Sequence, residues 1–88
     1  MSALEQCVNG CRQCAALFRL GRDVEAALTM VDLFDEAQQL LATAPQDVQL
    51  HWAQLLTQML ACQERQDWLG LADFMEYELI DLLQSVQT

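Results

Sequence analysis

Three cysteines near the start of the chain, Cys7, Cys11 and Cys14, have the residue type and spacing to do chemistry. Three thiolates spaced this way can hold a [4Fe–4S] cluster in large α/β enzymes. On one continuous helix, however, Cys7 and Cys14 would lie about 10.5 Å apart along the axis. Two thiolates on one zinc ion lie at most about 4.6 Å apart, because each Zn–S bond is about 2.3 Å. A continuous helix therefore excludes a mononuclear site that uses all three, and we predict no metal and no cofactor.

The cysteines also fit a packing pattern, because apolar residues recur at steps of three and four along four segments, as they do on the buried face of a helix. The residues with this spacing are Leu4, Cys7, Cys11, Cys14 and Phe18; Ala27, Met30, Phe34, Ala37, Leu41 and Ala44; Val48, Trp52, Leu55, Met59 and Cys62; and Trp68, Leu71, Ala72, Met75, Leu79, Leu82 and Val86. We predict that all four cysteines are reduced core residues. A metal or redox site made of two neighbouring cysteines with Cys62 and His51 is the alternative.

Four amphipathic segments separated by short breaks predict a single all-α domain over residues 1–88. We expect an antiparallel four-helix bundle or a helical-hairpin array, with helices over residues 2–20, 23–43, 46–65 and 67–86. Gly21 can end the first helix and Pro45 can begin the third. Asp23 and Asp67 are the predicted caps of the second and fourth helices.

The charge is strongly one-sided, since thirteen acidic residues face four arginines and no lysine, for a net charge of −9. Such a chain repels phosphate backbones and anionic lipid surfaces, so we predict binding to neither nucleic acid nor membrane. No uncharged apolar run approaches the roughly 18 residues that span a bilayer, and the first residues lack a secretory signal. The expectation is a soluble, cytoplasmic protein.

Catalytic groups are scarce. His51 is the one histidine, and no serine lies near it to form a nucleophile–base pair. The acids Asp35, Glu36, Asp73 and Glu76 fall mainly on outward faces, where side chains are solvated. No phosphate-binding glycine loop or calcium-binding loop occurs. We therefore predict that the protein is not an enzyme.

Apolar residues of the last helix exceed what its buried stripe needs. On a helical wheel centred on Met75, Phe74 falls to one side, while Tyr77 and Ile80 fall near the back among acids. Together with Leu69 they predict an exposed aromatic patch that binds a partner. The expected partner is another protein, such as an amphipathic helix, or a second copy in a homodimer.

Two stretches carry a resemblance to known families: residues 21–28 (GRDVEAAL) and residues 66–79 (QDWLGLADFMEYEL). They resemble a group of small bacterial helical proteins, some of which accompany flagellar genes. In size, acidity and helicity the chain is also similar to the FliT and FliS families of flagellar and type III export chaperones. That resemblance implies a chaperone that holds an aggregation-prone export partner on an apolar helical surface. Residues 20–26 resemble part of a tetratricopeptide repeat, which implies an adaptor, although no second copy follows at the usual spacing of about 34 residues.

Overall fold

The computed structural model describes residues 2–86, and this part of the chain is helical with no strand. The elements are α1 (Ala3–Arg19), α2 (Asp23–Leu41), α3 (Gln46–Glu64), α4 (Trp68–Asp73), a π-helical segment (Phe74–Leu79) and α5 (Ile80–Ser85). The last three elements run on without a break and are together called the C-terminal helix, residues 68–85. The predicted all-α fold with four helical stretches is confirmed, and every boundary agrees to within two residues.

The turn after α1 is built on Gly21, whose φ of +78° lies in the left-handed region. Its N–H donates to the carbonyl of Phe18, and the next N–H, of Arg22, donates to Leu17. This pair of hydrogen bonds is the Schellman motif, and it satisfies carbonyls that a helix end leaves free. Gly21 ends the first helix as the sequence predicts.

The predicted cap at Asp23 is wrong. Arg22 takes the capping position, because the N–H of Ala26 already donates to the Arg22 carbonyl at 2.9 Å. The Schellman turn ends at Arg22, so α2 begins directly after it and Asp23 becomes the first helical residue. Its Oδ1 is buried and has no hydrogen-bond partner within residues 2–86.

The predicted cap at Asp67 is confirmed, since its Oδ1 accepts a hydrogen bond of 3.1 Å from the N–H of Gly70. Gly70 makes this close approach possible, because a Cβ at that position would collide with the Asp67 carboxylate. The preceding turn repeats the Schellman pattern with Gln66 at φ +59° in place of a glycine.

Helix α1 lies at the centre of the bundle, with α2 against one side and the C-terminal helix against the other. Arg19 at the end of α1 meets Asp73 in α4, while Leu4 at its start lies beside Gln84 in α5. These two contacts show that α1 and the C-terminal helix are antiparallel. Helix α3 packs mainly on the C-terminal helix and only lightly on α2, which leaves one side of α2 uncovered.

Side chains from every helix form one continuous core, and none of its members is polar or charged within the described residues. Its largest fully buried members are Met30, Leu41, Leu55, Met59, Leu71, Met75, Leu79 and Leu83. An edge-to-face aromatic pair joins α2 to α3, since the rings of Phe34 and Trp52 lie 6.0 Å apart at 80°. The Trp52 indole N–H also donates to Gln38 at 2.8 Å, which satisfies its polar atom.

Candidate protein-binding surfaces

The four cysteines are core residues, as the packing pattern predicts, and all are free thiols with at most 2% of their surface exposed. The Cys14 thiol donates to the carbonyl of Ala26 at 3.2 Å, which joins α1 to α2. Burial raises the pKa of Cys14 to about 11. A hydrogen bond with Cys7, together with burial, raises the pKa of Cys11. The same hydrogen bond lowers the pKa of Cys7. Cys11 and Cys14 are poor nucleophiles at neutral pH, because a raised pKa keeps a thiol protonated.

The structure does not bring the alternative cysteine–histidine site together. His51 is exposed on the surface of α3, whereas Cys62 is buried and contacts the Arg65 guanidinium through a 3.6 Å hydrogen bond. Within residues 2–86, no group of three or more His, Cys, Asp or Glu side chains is arranged to hold a metal ion. The thiols thus contribute packing and a local hydrogen bond.

The predicted partner-binding patch on the C-terminal helix is only half exposed. Leu69 and Tyr77 extend into solvent with 64% and 63% of their surface exposed. Phe74 is half-buried and packs against the core. Ile80 is buried, with 5% exposed, so its predicted place on the outer face is wrong.

The π-helical segment explains the position of Ile80. A regular helix places a residue five positions after Met75 on the opposite side. A π turn pairs residues five apart, so the added residue rotates everything that follows. Met75 and Ile80 consequently both face the core. The sequence signals for this shift are the five-residue spacing of Met75 and Ile80 and the adjacent apolar pairs Leu79–Ile80 and Leu82–Leu83.

Tyr77 borders an open, acidic depression of about 410 Å³ on the C-terminal helix. The depression is lined by Glu76, Tyr77, Glu78, Ile80, Asp81 and Gln84. A hydrogen bond with Glu76 raises the pKa of the Tyr77 hydroxyl. Arg19 reaches across from α1 and pairs with Asp73 at 2.8 Å and with Glu76 at 3.1 Å, so one rim of the depression is partly neutralised.

A larger apolar surface, which the sequence analysis did not identify, lies on the outer side of α2. Val24, Leu28 and Val31 have 77%, 68% and 64% of their surfaces exposed, and Leu20 in the preceding turn has 73%. Residues 24, 28 and 31 follow steps of four and three, so they form a line along one side of the helix. We call these three residues the α2 stripe. Ala26, Met30, Leu33 and Ala37 form the buried side of the same helix.

Acidic side chains run along one edge of the α2 stripe. At about 100° per residue, Glu25 and Asp32 fall together on one flank, and Asp35 continues the line of the stripe one turn beyond Val31. Glu25 pairs with Arg22 at 3.5 Å. Asp35 accepts a hydrogen bond from the side chain of Gln39 at 3.2 Å. No arginine within residues 2–86 forms an ion pair with Asp32 or Asp35.

The sequence contains a signal for the α2 stripe, namely a second apolar line at helical spacing beside the one that predicts the core. The sequence prediction takes the line through Met30, Ala37 and Leu41 as the buried one, and the structure buries all three, whereas Ala27 and Phe34 of that line are only half-buried. Periodicity alone does not reveal whether another helix covers the second line. The structure decides this, because α1 takes the side that holds Ala26 and Met30.

None of the helices in residues 2–86 combines the length and the apolarity that crossing a membrane requires.

Comparisons with known proteins give a family but no function. The chain matches no curated protein and no solved structure at a significant level. One family matches over residues 1–88, and its description is a domain of unknown function. The chain therefore belongs to the DUF8042 family.

Proposed function

We propose that this protein is a non-enzymatic protein-interaction module that binds its partner through the outer side of α2. The observation that carries the proposal is the exposure of the α2 stripe, Val24, Leu28 and Val31. Contiguous apolar surface with polar neighbours is the usual mark of an interaction site on a small domain. The steps of four and three match the spacing with which helices pack against one another.

The energetics support binding by this surface. Full burial of an exposed valine or leucine side chain contributes about 1.5–3 kcal/mol. Val24, Leu28 and Val31 together supply at most about three times that amount, against an association cost of about 4–15 kcal/mol. A partner must therefore cover the whole α2 stripe and also make contacts at its rim in order to bind stably.

A second contact surface is supported on the C-terminal helix, where Leu69 and Tyr77 are exposed beside acidic side chains. This is the exposed remainder of the patch that the sequence predicts. Its two apolar residues are eight positions apart, so it presents a sparser surface than the α2 stripe. We place it second, as a site that would extend the contact with a large partner.

An export chaperone of the flagellar or type III kind is a finer form of the same proposal. Its support is the resemblance in size, acidity and helicity, together with an apolar helical surface of the sort that could shield an aggregation-prone segment. A tetratricopeptide-like adaptor has less support, because only residues 20–26 resemble that repeat. A cysteine-based metal or redox protein also has less support, because the thiols are buried.

The test is capture of protein partners from the native host on three forms of the immobilised chain: wild type, Val24→Ser/Leu28→Ser, and Leu50→Ser/Leu60→Ser as a matched control. Leu50 and Leu60 are also exposed leucines, but they lie on α3. We expect wild type and the control to retain one partner in stoichiometric amount and the α2 variant to lose it. Equal capture by all three forms would overturn the proposal, and a parallel Leu69→Ala/Tyr77→Ala variant would show whether the C-terminal helix is the site instead.

A further inference from the structure

We propose that the occupant of the α2 stripe is an amphipathic helix of a partner protein whose apolar seam is flanked by lysine or arginine. This inference rests on the proposed function, and it adds the chemistry of the partner.

The shape of the surface suits a single helix. Val24 and Val31 lie seven residues apart, about 10.5 Å along the axis, with Leu28 between them. This spacing equals three successive seam positions of a heptad pattern, into which the side chains of a facing helix interdigitate. Ala27, beside the stripe, is small and half-buried, so a partner backbone can approach closely on that flank.

The charges beside the stripe favour a basic occupant. Glu25 and Asp32 occupy the flank that would face the edge of a packed helix, and Asp35 lies just beyond the seam. Asp32 and Asp35 form no ion pair with any arginine of residues 2–86, and the whole chain carries a net charge of −9. Cationic side chains on a partner would gain attraction at these carboxylates and would associate faster at low salt.

A second copy of this chain fits the stripe poorly. In an antiparallel pair centred on Leu28, the Glu25 of one copy lies on the same edge as Asp32 of the other copy, and the arrangement occurs twice by symmetry. Arg22 partly neutralises Glu25, but Asp32 of each copy still faces an acidic side chain and has no ion pair within residues 2–86. Like charges juxtaposed across an interface are destabilising. Two chains of charge −9 also repel each other at a distance. The electrostatics thus select against the homodimer and for a basic helix.

The experiment uses two synthetic helical peptides of about three heptads, with leucine along the seam and either lysine or glutamate on both flanks. Binding is measured by fluorescence anisotropy at low and high salt on the full chain. The protein forms are wild type, Leu28→Ser, Asp32→Asn/Asp35→Asn, and Leu50→Ser as the control for an exposed leucine elsewhere. The self-association of wild type is measured in parallel by sedimentation.

We expect the lysine peptide to bind wild type and Leu50→Ser alike. Leu28→Ser should weaken binding about tenfold, equivalent to about 1.4 kcal/mol. Asp32→Asn/Asp35→Asn should weaken it severalfold and reduce its salt dependence. The inference is overturned if the glutamate peptide binds equally well, if Leu28→Ser binds like Leu50→Ser, or if wild type forms a dimer that Leu28→Ser makes monomeric.

Failure of the inference and failure of the proposed function give different results. If only the inference is wrong, the native partner still depends on Val24 and Leu28 for capture, but cross-links from α2 map to a segment without basic residues. If the proposed function is wrong, capture of the native partner is unchanged by Val24→Ser/Leu28→Ser whatever the peptides do.

Discussion

The indole ring of Trp68 stacks on the phenyl ring of Phe18 in an offset, nearly parallel arrangement, with centroids 5.6 Å apart and ring planes inclined by 8°. Phe18 lies in the last turn of α1 and Trp68 is the first residue of α4, so the pair fixes where the C-terminal helix begins against the centre of the bundle. The ion pair between Arg19 and Asp73 lies one turn away on the surface. The end of α1 is thereby attached to α4 by an apolar contact and by an ionic one.

These two contacts should differ greatly in their contribution to the free energy of unfolding. Phe18 is buried, so Phe18→Ala should cost about 3–5 kcal/mol, through lost burial and the cavity that remains. Arg19→Ala should cost less than about 1 kcal/mol, because both charged side chains are partly solvated. Urea denaturation followed by circular dichroism measures both values. If Arg19→Ala lowered the free energy of unfolding as much as Phe18→Ala does, this ranking would be contradicted.

The π-helical segment predicts opposite outcomes for two neighbouring apolar residues. Ile80→Ala should lower the free energy of unfolding by about 2–5 kcal/mol, since Ile80 faces the core. Tyr77→Ala should change it by less than about 0.5 kcal/mol, since Tyr77 is exposed. Thermal and urea unfolding of the two variants test this pair. The reverse order would mean that the helix keeps the regular α-helical register beyond Met75.

The turn before α4 holds Gln66 at a positive φ, which costs a residue with a Cβ about 1–2 kcal/mol. Gln66→Gly should therefore stabilise the protein by up to about 1 kcal/mol, after the greater chain entropy of glycine in the unfolded state is subtracted. Gly21→Ala is the matched control, because Gly21 has the same role after α1 and the change should be destabilising. Melting temperatures of both variants measure the effect, and a Gln66→Gly variant less stable than wild type would be the contrary outcome.

The contribution of Cys14 to the stability of the protein should be lost between about pH 9 and pH 11. An unfolded cysteine has a pKa of 9.0, and burial raises the pKa of Cys14 to about 11 in the folded state. The folded state therefore binds the thiol proton more tightly, and its advantage is complete below pH 9 and is lost as the pH rises toward 11. Cys14→Ala should reduce the pH slope of the unfolding free energy in this interval. An unchanged slope would show that Cys14 does not contribute to it.

The sequence predicts most of the fold because patterns within short segments indicate where each helix begins and ends and which of its faces is buried. Gly21, Pro45 and Asp67 mark helix boundaries through backbone chemistry that acts over a few residues. The seam that contains Cys7, Cys11 and Cys14 follows the period of one buried face, and the structure buries all three. The cap at Asp23 was predicted wrongly, because the preceding turn, a structure of several residues acting together, decides where α2 begins.

The candidate binding surfaces were only partly predictable. Leu69 and Tyr77 are exposed as the helical wheel indicates, but Ile80 is buried because one π turn changes the direction of every residue after it. A helical wheel assumes a constant number of residues per turn, so it cannot represent the change of direction that a π turn introduces. The exposure of Leu28 escaped the sequence analysis for another reason: α2 is apolar on two sides, and its neighbours select one of them.

The helical class, most helix boundaries and the burial of the cysteines are predictable from the amino-acid sequence, because propensity, capping and periodicity are properties of short segments. That the second apolar line of α2 stays uncovered, and that Ile80 joins Met75 in the core, became evident from the packed chain alone. Those outcomes depend on which helices pack together and on the rotation of the C-terminal helix about its own axis. Packing between distant segments sets both, and the period of a single helix does not encode them.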